Sequence, residues 1–97
     1  MDFNGKVAIV TGGATGIGFA VAAGFLKYGG KAVIVDRDPS VADAANRLGS
    51  DAISMIADVS NSADVQAYVK AALDAFGRID CLVNNAGIEG KIAPTAE

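Results

Sequence analysis

Four glycines, Gly12, Gly13, Gly16 and Gly18, follow directly behind a short apolar run in the stretch from Lys6 to Gly18, KVAIVTGGATGIG. Glycine lets a backbone turn sharply and come close to a ligand, and a helix opening behind such a turn offers unpaired backbone N–H groups and the positive end of its dipole. The chemistry this spacing points to is an anion cradle, with a phosphate or pyrophosphate as its occupant. Other chemistry is sparse. The chain has no histidine to serve as a general acid or base near neutral pH. Its one cysteine, Cys81, lies in the run Cys81, Leu82, Val83 and reads as a small buried strand residue.

Regular elements must position that cradle. Val7 to Val10 is a continuous apolar run, as expected of a strand covered on both faces. After the glycines, Ile17, Ala20, Val21, Gly24, Phe25 and Tyr28 recur at helical spacing, and Gly29 with Gly30 ends the helix. Lys31 to Asp36 reads as a second buried strand. Pro39 suits a helix start, and Val41, Ala44, Ala45 and Leu48 mark a short amphipathic helix closed by Gly49. A third strand is expected around Ala52 to Ala57. Ser60 or Asn61 caps the next helix, which carries Asp64 in its first turn and Val65, Val69, Ala72, Leu73 and Phe76 along its apolar stripe before Gly77. Asp80 to Asn84 is a fourth strand, and Ile88 to Glu97, without a clear period, reads as a loop.

Strand and helix thus alternate strictly, which argues for an α/β, doubly wound parallel sheet. If the first two crossovers run one way, the other face is covered when the third returns past strand 1, giving the order 3-2-1-4. Such sheets bind ligands where the order reverses, at the carboxyl ends of their strands. Here that point lies between strands 1 and 4, so Thr11 and Gly12 meet Asn84 to Gly87 across one crevice.

Composition narrows the class. The 97 residues, 52% of them hydrophobic and 20% charged, suffice for one domain, 1–97, but not for a cofactor domain plus a substrate domain. No apolar run approaches the ~18 residues of a membrane span, and the N-terminus lacks the basic and apolar regions of a signal peptide, so cytoplasmic residence is expected. Eight Lys and Arg against eleven Asp and Glu, with no basic cluster, argue against nucleic acid and anionic membrane as partners.

The glycine spacing is GxxxGxG rather than GxGxxG, and with Thr11 the segment TGGATGIG resembles the TGxxxGxG signature of the short-chain dehydrogenase/reductase family. Asn84, Asn85, Ala86 and Gly87 resemble that family's NNAG signature. The resemblance spans essentially the whole chain and implies a Rossmann-type fold with NAD as cofactor. It implies contacts to that cofactor from Gly12, Gly16, Ile17 through its backbone, Gly18, Asp36, Asp58, Val59, Asn85, Ala86 and Gly87. Asp36, twenty-four residues after Gly12, is where dinucleotide-binding folds place the acid for the adenosine ribose. A carboxylate there accepts from the diol of NAD and repels the 2'-phosphate of NADP, which brings roughly −1.5 to −2 charge. Each unit of like charge at ~4 Å and an effective dielectric near 20 costs about 4 kcal/mol, so NAD is expected to be preferred. Arg37 is the counterweight, and is expected over the adenine or in solvent. By the same resemblance Asp58 and Val59 flank the adenine, Asp58 alternatively being the next helix's cap. Asn85 holds the adenosine side, while Asn84 and Thr11 tie strand 4 to strand 1. Glu89 and Lys91 are expected to be solvated charges.

The family's chemistry rests on a Tyr-x-x-x-Lys pair. Four residues after Tyr28 is Ala32, and four after Tyr68 is Ala72, so no catalytic residue is assigned and both tyrosines read as core. The chain is therefore expected to be the N-terminal, cofactor-binding part of a longer NAD-dependent oxidoreductase, truncated after strand 4 and inactive alone. The parent would move a hydride between NAD(H) and an alcohol or ketone, and would form a homo-oligomer. Two other readings are a non-catalytic NAD-binding regulator of the same fold and an S-adenosylmethionine-dependent methyltransferase, which also joins a glycine loop to an acid after strand 2.

Overall fold

The structure is a computed structural model and describes residues 2–14, 16–84 and 94–96. Its elements run β1 (Val7–Thr11), α1 (Gly16–Lys27), β2 (Lys31–Asp36), α2 (Val41–Leu48), β3 (Ala52–Ile56), α3 (Ser62–Phe76), β4 (Cys81–Asn84) and β5 (Pro94–Ala96). They form one sheet in the order β3-β2-β1-β4-β5. The first four strands are parallel and follow the expected order 3-2-1-4, with Ile9 between Val33 and Leu82 at the centre. β5 is an addition to the sequence reading, which has a loop here. It pairs antiparallel with β4, Val83 opposite Pro94 and Cys81 opposite Ala96. A three-residue strand opening on proline is too short to show a period-two pattern, and proline is tolerated at a strand's first position.

Alternation along the strands sorts the apolar side chains into two layers. Ala8, Val10, Ala32, Ile34, Ala52 and Val83 face α1 and α2, joining Ala22, Phe25, Val41, Ala44 and Ala45 in one buried cluster. Ile9, Val33, Val35 and Ala57 face α3 and meet Tyr68 and Ala72, with Ile53, Met55, Val69, Phe76 and Leu82 partly buried around them. The first layer is lined by alanines on the sheet, which lets two helices lie close. Larger side chains line the second, and among the described residues α3 alone covers it.

Local chemistry sets the helix ends. Asn61 caps α3, its side chain accepting from the N–H groups of Ala63 at 2.9 Å and Asp64 at 3.1 Å, a contribution of about 1 kcal/mol. Gly77 closes the same helix. α2 begins at Val41 rather than at Pro39, which sits in the preceding turn where its carbonyl accepts from Ala42 N. Tyr28 departs from the core reading: α1 ends at Lys27, and Tyr28 is 41% exposed, its ring set edge-on to Phe3. Tyr68 is buried as expected, and burial pushes its phenol above the usual value. Leu73, expected in the α3 stripe, is exposed. Cys81 is half-buried, packed against the α1/α2 layer.

Candidate functional site

The sequence-predicted residues that the structure describes stand at or follow the carboxyl ends of β1, β2 and β3. β1 is flanked by β2 on one side and β4 on the other, so the glycine-rich turn leaving it sits where the chain's connections diverge. This is the position at which open α/β sheets hold ligands. Thr11, the last residue of β1, is buried, and its hydroxyl lies 3.3 Å from the Val83 carbonyl and 3.2 Å from Asn84 Oδ1. That is the expected tie between strands 1 and 4.

Gly12 and Gly16 adopt positive φ, 68° and 58°, in the left-handed region that side-chain-bearing residues rarely enter. Gly16 and Ile17 open α1 and are exposed, whereas Gly18 is buried against the sheet. α1 has no acidic residue in its first turn, while α2 carries Asp43 and α3 carries Asp64 there. The N-terminal end of α1 thus keeps its dipole and N–H groups available to an anion from outside.

Gly13, named in the glycine run but not among the expected contacts, decides how the turn lies. Its N–H donates to the Val35 carbonyl at 3.1 Å, and a Cβ at this position would fall 2.6 Å from Ile34 Cβ. The turn therefore lies flat on β2 because residue 13 has no side chain. Next to it the Ala14 N–H donates to Asp36 Oδ2 at 3.2 Å. The other carboxylate oxygen of Asp36 accepts from Asp38 N at 3.1 Å. A glycine pair directly behind a strand is the sequence signal for such a close approach; nothing in the sequence marks the Ala14 bond.

Asp58 follows β3 and does not cap α3, since Asn61 does. Its Oδ1 accepts from Ser60 Oγ at 2.7 Å and Ser60 N at 2.9 Å, and its own N–H donates to Asp64 Oδ2 at 2.8 Å. The Ser60 hydroxyl first, then the Ser60 amide, hold the Asp58 carboxyl below its ordinary value of 3.8, and the Arg37 charge adds to this. Arg37 is exposed, and Val59 packs partly into the α3 layer. Asn85, Ala86, Gly87, Glu89 and Lys91 lie outside the described residues.

These residues can do three things. They offer backbone donors to an anion, a carboxylate to a pair of hydroxyls, and an apolar edge with a second acid further along the sheet. Among the described residues no cluster of three or more His, Cys, Asp or Glu could hold a metal ion, and no lysine stands four residues after either tyrosine. No helix among the described residues is long and apolar enough to cross a membrane.

Comparison with known proteins gives the same picture. Residues 6–97 match the short chain dehydrogenase family model. Momilactone A synthase of Oryza sativa subsp. japonica is 46% identical over 88 residues, covering 89% of this chain and 32% of that protein. Levodione reductase of Leifsonia aquatica is 39% identical over 99 residues, covering 96% and 37%. The crystal structure of 3-ketoacyl-(acyl-carrier-protein) reductase from Brucella melitensis complexed with NADH superposes with a TM-score of 0.81 at 45% identity, over 84% of this chain and 34% of that one. A short chain dehydrogenase/reductase from Burkholderia phymatum in complex with NAD gives 0.80 at 41% identity. The chain spans about a third of the length of the relatives it matches. With its glycine turn, parallel order and strand-end acids all in place, the chain belongs to the short chain dehydrogenase family.

Proposed function

We propose that this chain is the N-terminal part of a single Rossmann-type domain and supplies the adenosine and pyrophosphate side of an NAD site. The observation that carries the reading is the glycine turn seated on β2 with Asp36 beside it. The residues fit the cofactor. Gly12, Gly16, Ile17 and Gly18 surround the open end of α1, where N–H groups and the helix dipole receive a pyrophosphate. Asp36 accepts from the ribose diol. Asp58 and Val59, just after β3, would border the adenine, and the NNAG resemblance assigns Asn85, Ala86 and Gly87 to the same cofactor. Arg37, exposed and close enough for its charge to act on Asp58, would lie over the adenine or stay in solvent.

When bound, NAD accepts or donates a hydride. The residues in hand hold and orient its adenosine half, and Asp36 disfavours the 2'-phosphate of NADP by charge repulsion. The whole protein moves a hydride between NAD(H) and an alcohol or ketone, with a Tyr-x-x-x-Lys pair outside these 97 residues. It resides in the cytoplasm, assembles as a homo-oligomer and has no nucleic-acid partner. Support comes from the solved relatives, which are complexed with NADH or NAD, and from the dehydrogenases and reductases among the similar proteins.

Isothermal titration of the chain with NAD, NADP and S-adenosylmethionine tests the reading. Saturable NAD binding, at least ~10-fold tighter than NADP, is expected from even ~1.4 kcal/mol of repulsion. NADP binding as tightly as NAD, or saturable binding of S-adenosylmethionine alone, would overturn it.

A further inference from the structure

The two oxygens of Asp36 are already engaged, and by different segments. Oδ2 accepts from Ala14 N in the glycine turn at 3.2 Å, and Oδ1 accepts from Asp38 N at 3.1 Å. A carboxylate offers about four acceptor sites, two on each oxygen. Two backbone donors use half of them and leave two, one on each oxygen, which is the number a ribose diol requires. No exchange of partners is then needed when a nucleotide arrives. The turn has two other ties to β2, the Gly13 N–H to the Val35 carbonyl and the close seat of Gly13 on Ile34. Loss of the carboxylate would leave the Ala14 N–H without this partner.

We propose that Asp36 is also a positioning residue for the phosphate-binding turn: its carboxylate fixes the Ala14 N–H, so that the group that recognises the ribose also sets the shape of the loop that receives the pyrophosphate. This rests on the reading of the site as a nucleotide site. It explains why an acid, rather than an amide, suits this position independently of ribose recognition. Asparagine has a single acceptor oxygen, and its NH2 group would face one of the two N–H donors.

The tie is testable without any nucleotide. Amide hydrogen exchange of the unliganded chain should show Ala14 protected, and Asp36→Ala should speed exchange at Ala14 by about tenfold, as loss of a charge-assisted bond implies. Exchange at Ile9 and Val33, in the centre of the sheet, should not change, which reports that the variant is folded. Asp36→Asn serves as a second, milder variant, expected to raise exchange at Ala14 or Asp38 but not at both. The consequence for binding is read with two probes, ADP and 2',3'-dideoxy-ADP, the latter having the pyrophosphate but no diol. If Asp36 served the diol alone, Asp36→Ala would weaken ADP and leave dideoxy-ADP untouched. The positioning role predicts that dideoxy-ADP also weakens, by roughly three- to tenfold, with ADP weakening more. Unchanged exchange at Ala14, or dideoxy-ADP binding that does not respond to the substitution, overturns the proposal. Failure of the unsubstituted chain to bind either probe would instead overturn the nucleotide reading, and with it the positioning role, even where exchange upholds the Ala14 bond itself.

Discussion

Asp36 and Asp58 stand at the carboxyl ends of neighbouring strands and begin alike. Each accepts the N–H of the residue two positions on, from Asp38 at 3.1 Å and from Ser60 at 2.9 Å. They differ in where the second interaction goes. Asp58 directs it within its own turn, to Ser60 Oγ at 2.7 Å. Asp36 sends it across 22 residues to the glycine turn. One acid is a local fastening and the other joins two parts of the fold. Equal residue types at equal places along a sheet can therefore carry unequal consequences, and the difference lies in what the neighbouring loop offers, here an N–H held close because Gly13 lacks a Cβ.

The most severe way to break this contrast is Gly13→Ala. The new Cβ would lie 2.6 Å from Ile34 Cβ, so either the turn or β2 must move. Overpacking of this kind costs about 1–3 kcal/mol. The expected outcome in urea denaturation is a fall of that size, together with loss of measurable NAD binding, because the displaced turn also loses the Asp36 bond. Next in size is Asp36→Asn. Calorimetry should show NAD affinity reduced about tenfold or more and the preference over NADP narrowed, since one negative charge and one acceptor oxygen are removed together. Asp58→Asn should be milder, about two- to fivefold on NAD and with the Ala14 amide unaffected, since no other segment leans on it. An effect on NAD as large as that of Asp36→Asn would remove the distinction between the two acids.

The smallest effect concerns proton binding. Ser60 holds the folded Asp58 carboxyl below 3.8, and Arg78, then the Val7 amide, hold Asp80 below the same value. A depressed folded value means that the unfolded chain binds protons first, so each contribution to stability is complete above the ordinary carboxylate value and fades as pH falls through the lower folded one. Ser60→Ala should move the Asp58 titration, followed by carboxyl NMR shifts, upward toward 3.8, while leaving Asp80 where it is. A downward move, or none, would show that Ser60 is not what sets Asp58 apart.

Most of this architecture is legible in the sequence where its cause is local. Lys31–Asp36 is found with the expected bounds because an apolar run between turn residues has one reading, and the α3 cap is narrowed to Ser60 or Asn61 by the amphipathic stripe behind them, Asn61 taking the role. The order of four strands follows from handedness and the need to cover both faces. What escapes is set by contacts distant in sequence or by very short segments. The Ala14 bond to Asp36 has no local signal, β5 is too short to show a period, and Tyr28 and Leu73 sit on helical spacing yet face outward because α1 stops at Lys27 and no described element lies over that side of α3. Of the expected site, Gly12, Gly16, Ile17, Gly18, Asp36, Asp58 and Val59 gather at the carboxyl edge of the sheet.

The ties at the two ends of β1 bear on how the chain reaches this state. At one end Asp80 Oδ2 accepts from Val7 N at 2.8 Å; at the other Thr11 Oγ1 meets Asn84 Oδ1; each closes a loop of 73 residues. By contrast β1 and β2 pair across 24 residues, as Val7 with Lys31. Contacts of low sequence separation form early because they sacrifice less chain entropy. On a ribosome, the β1–β2 pair and the glycine turn seated on it could therefore assemble while β4 is still unmade. The same strand would wait, one edge open, for a partner made 73 residues later.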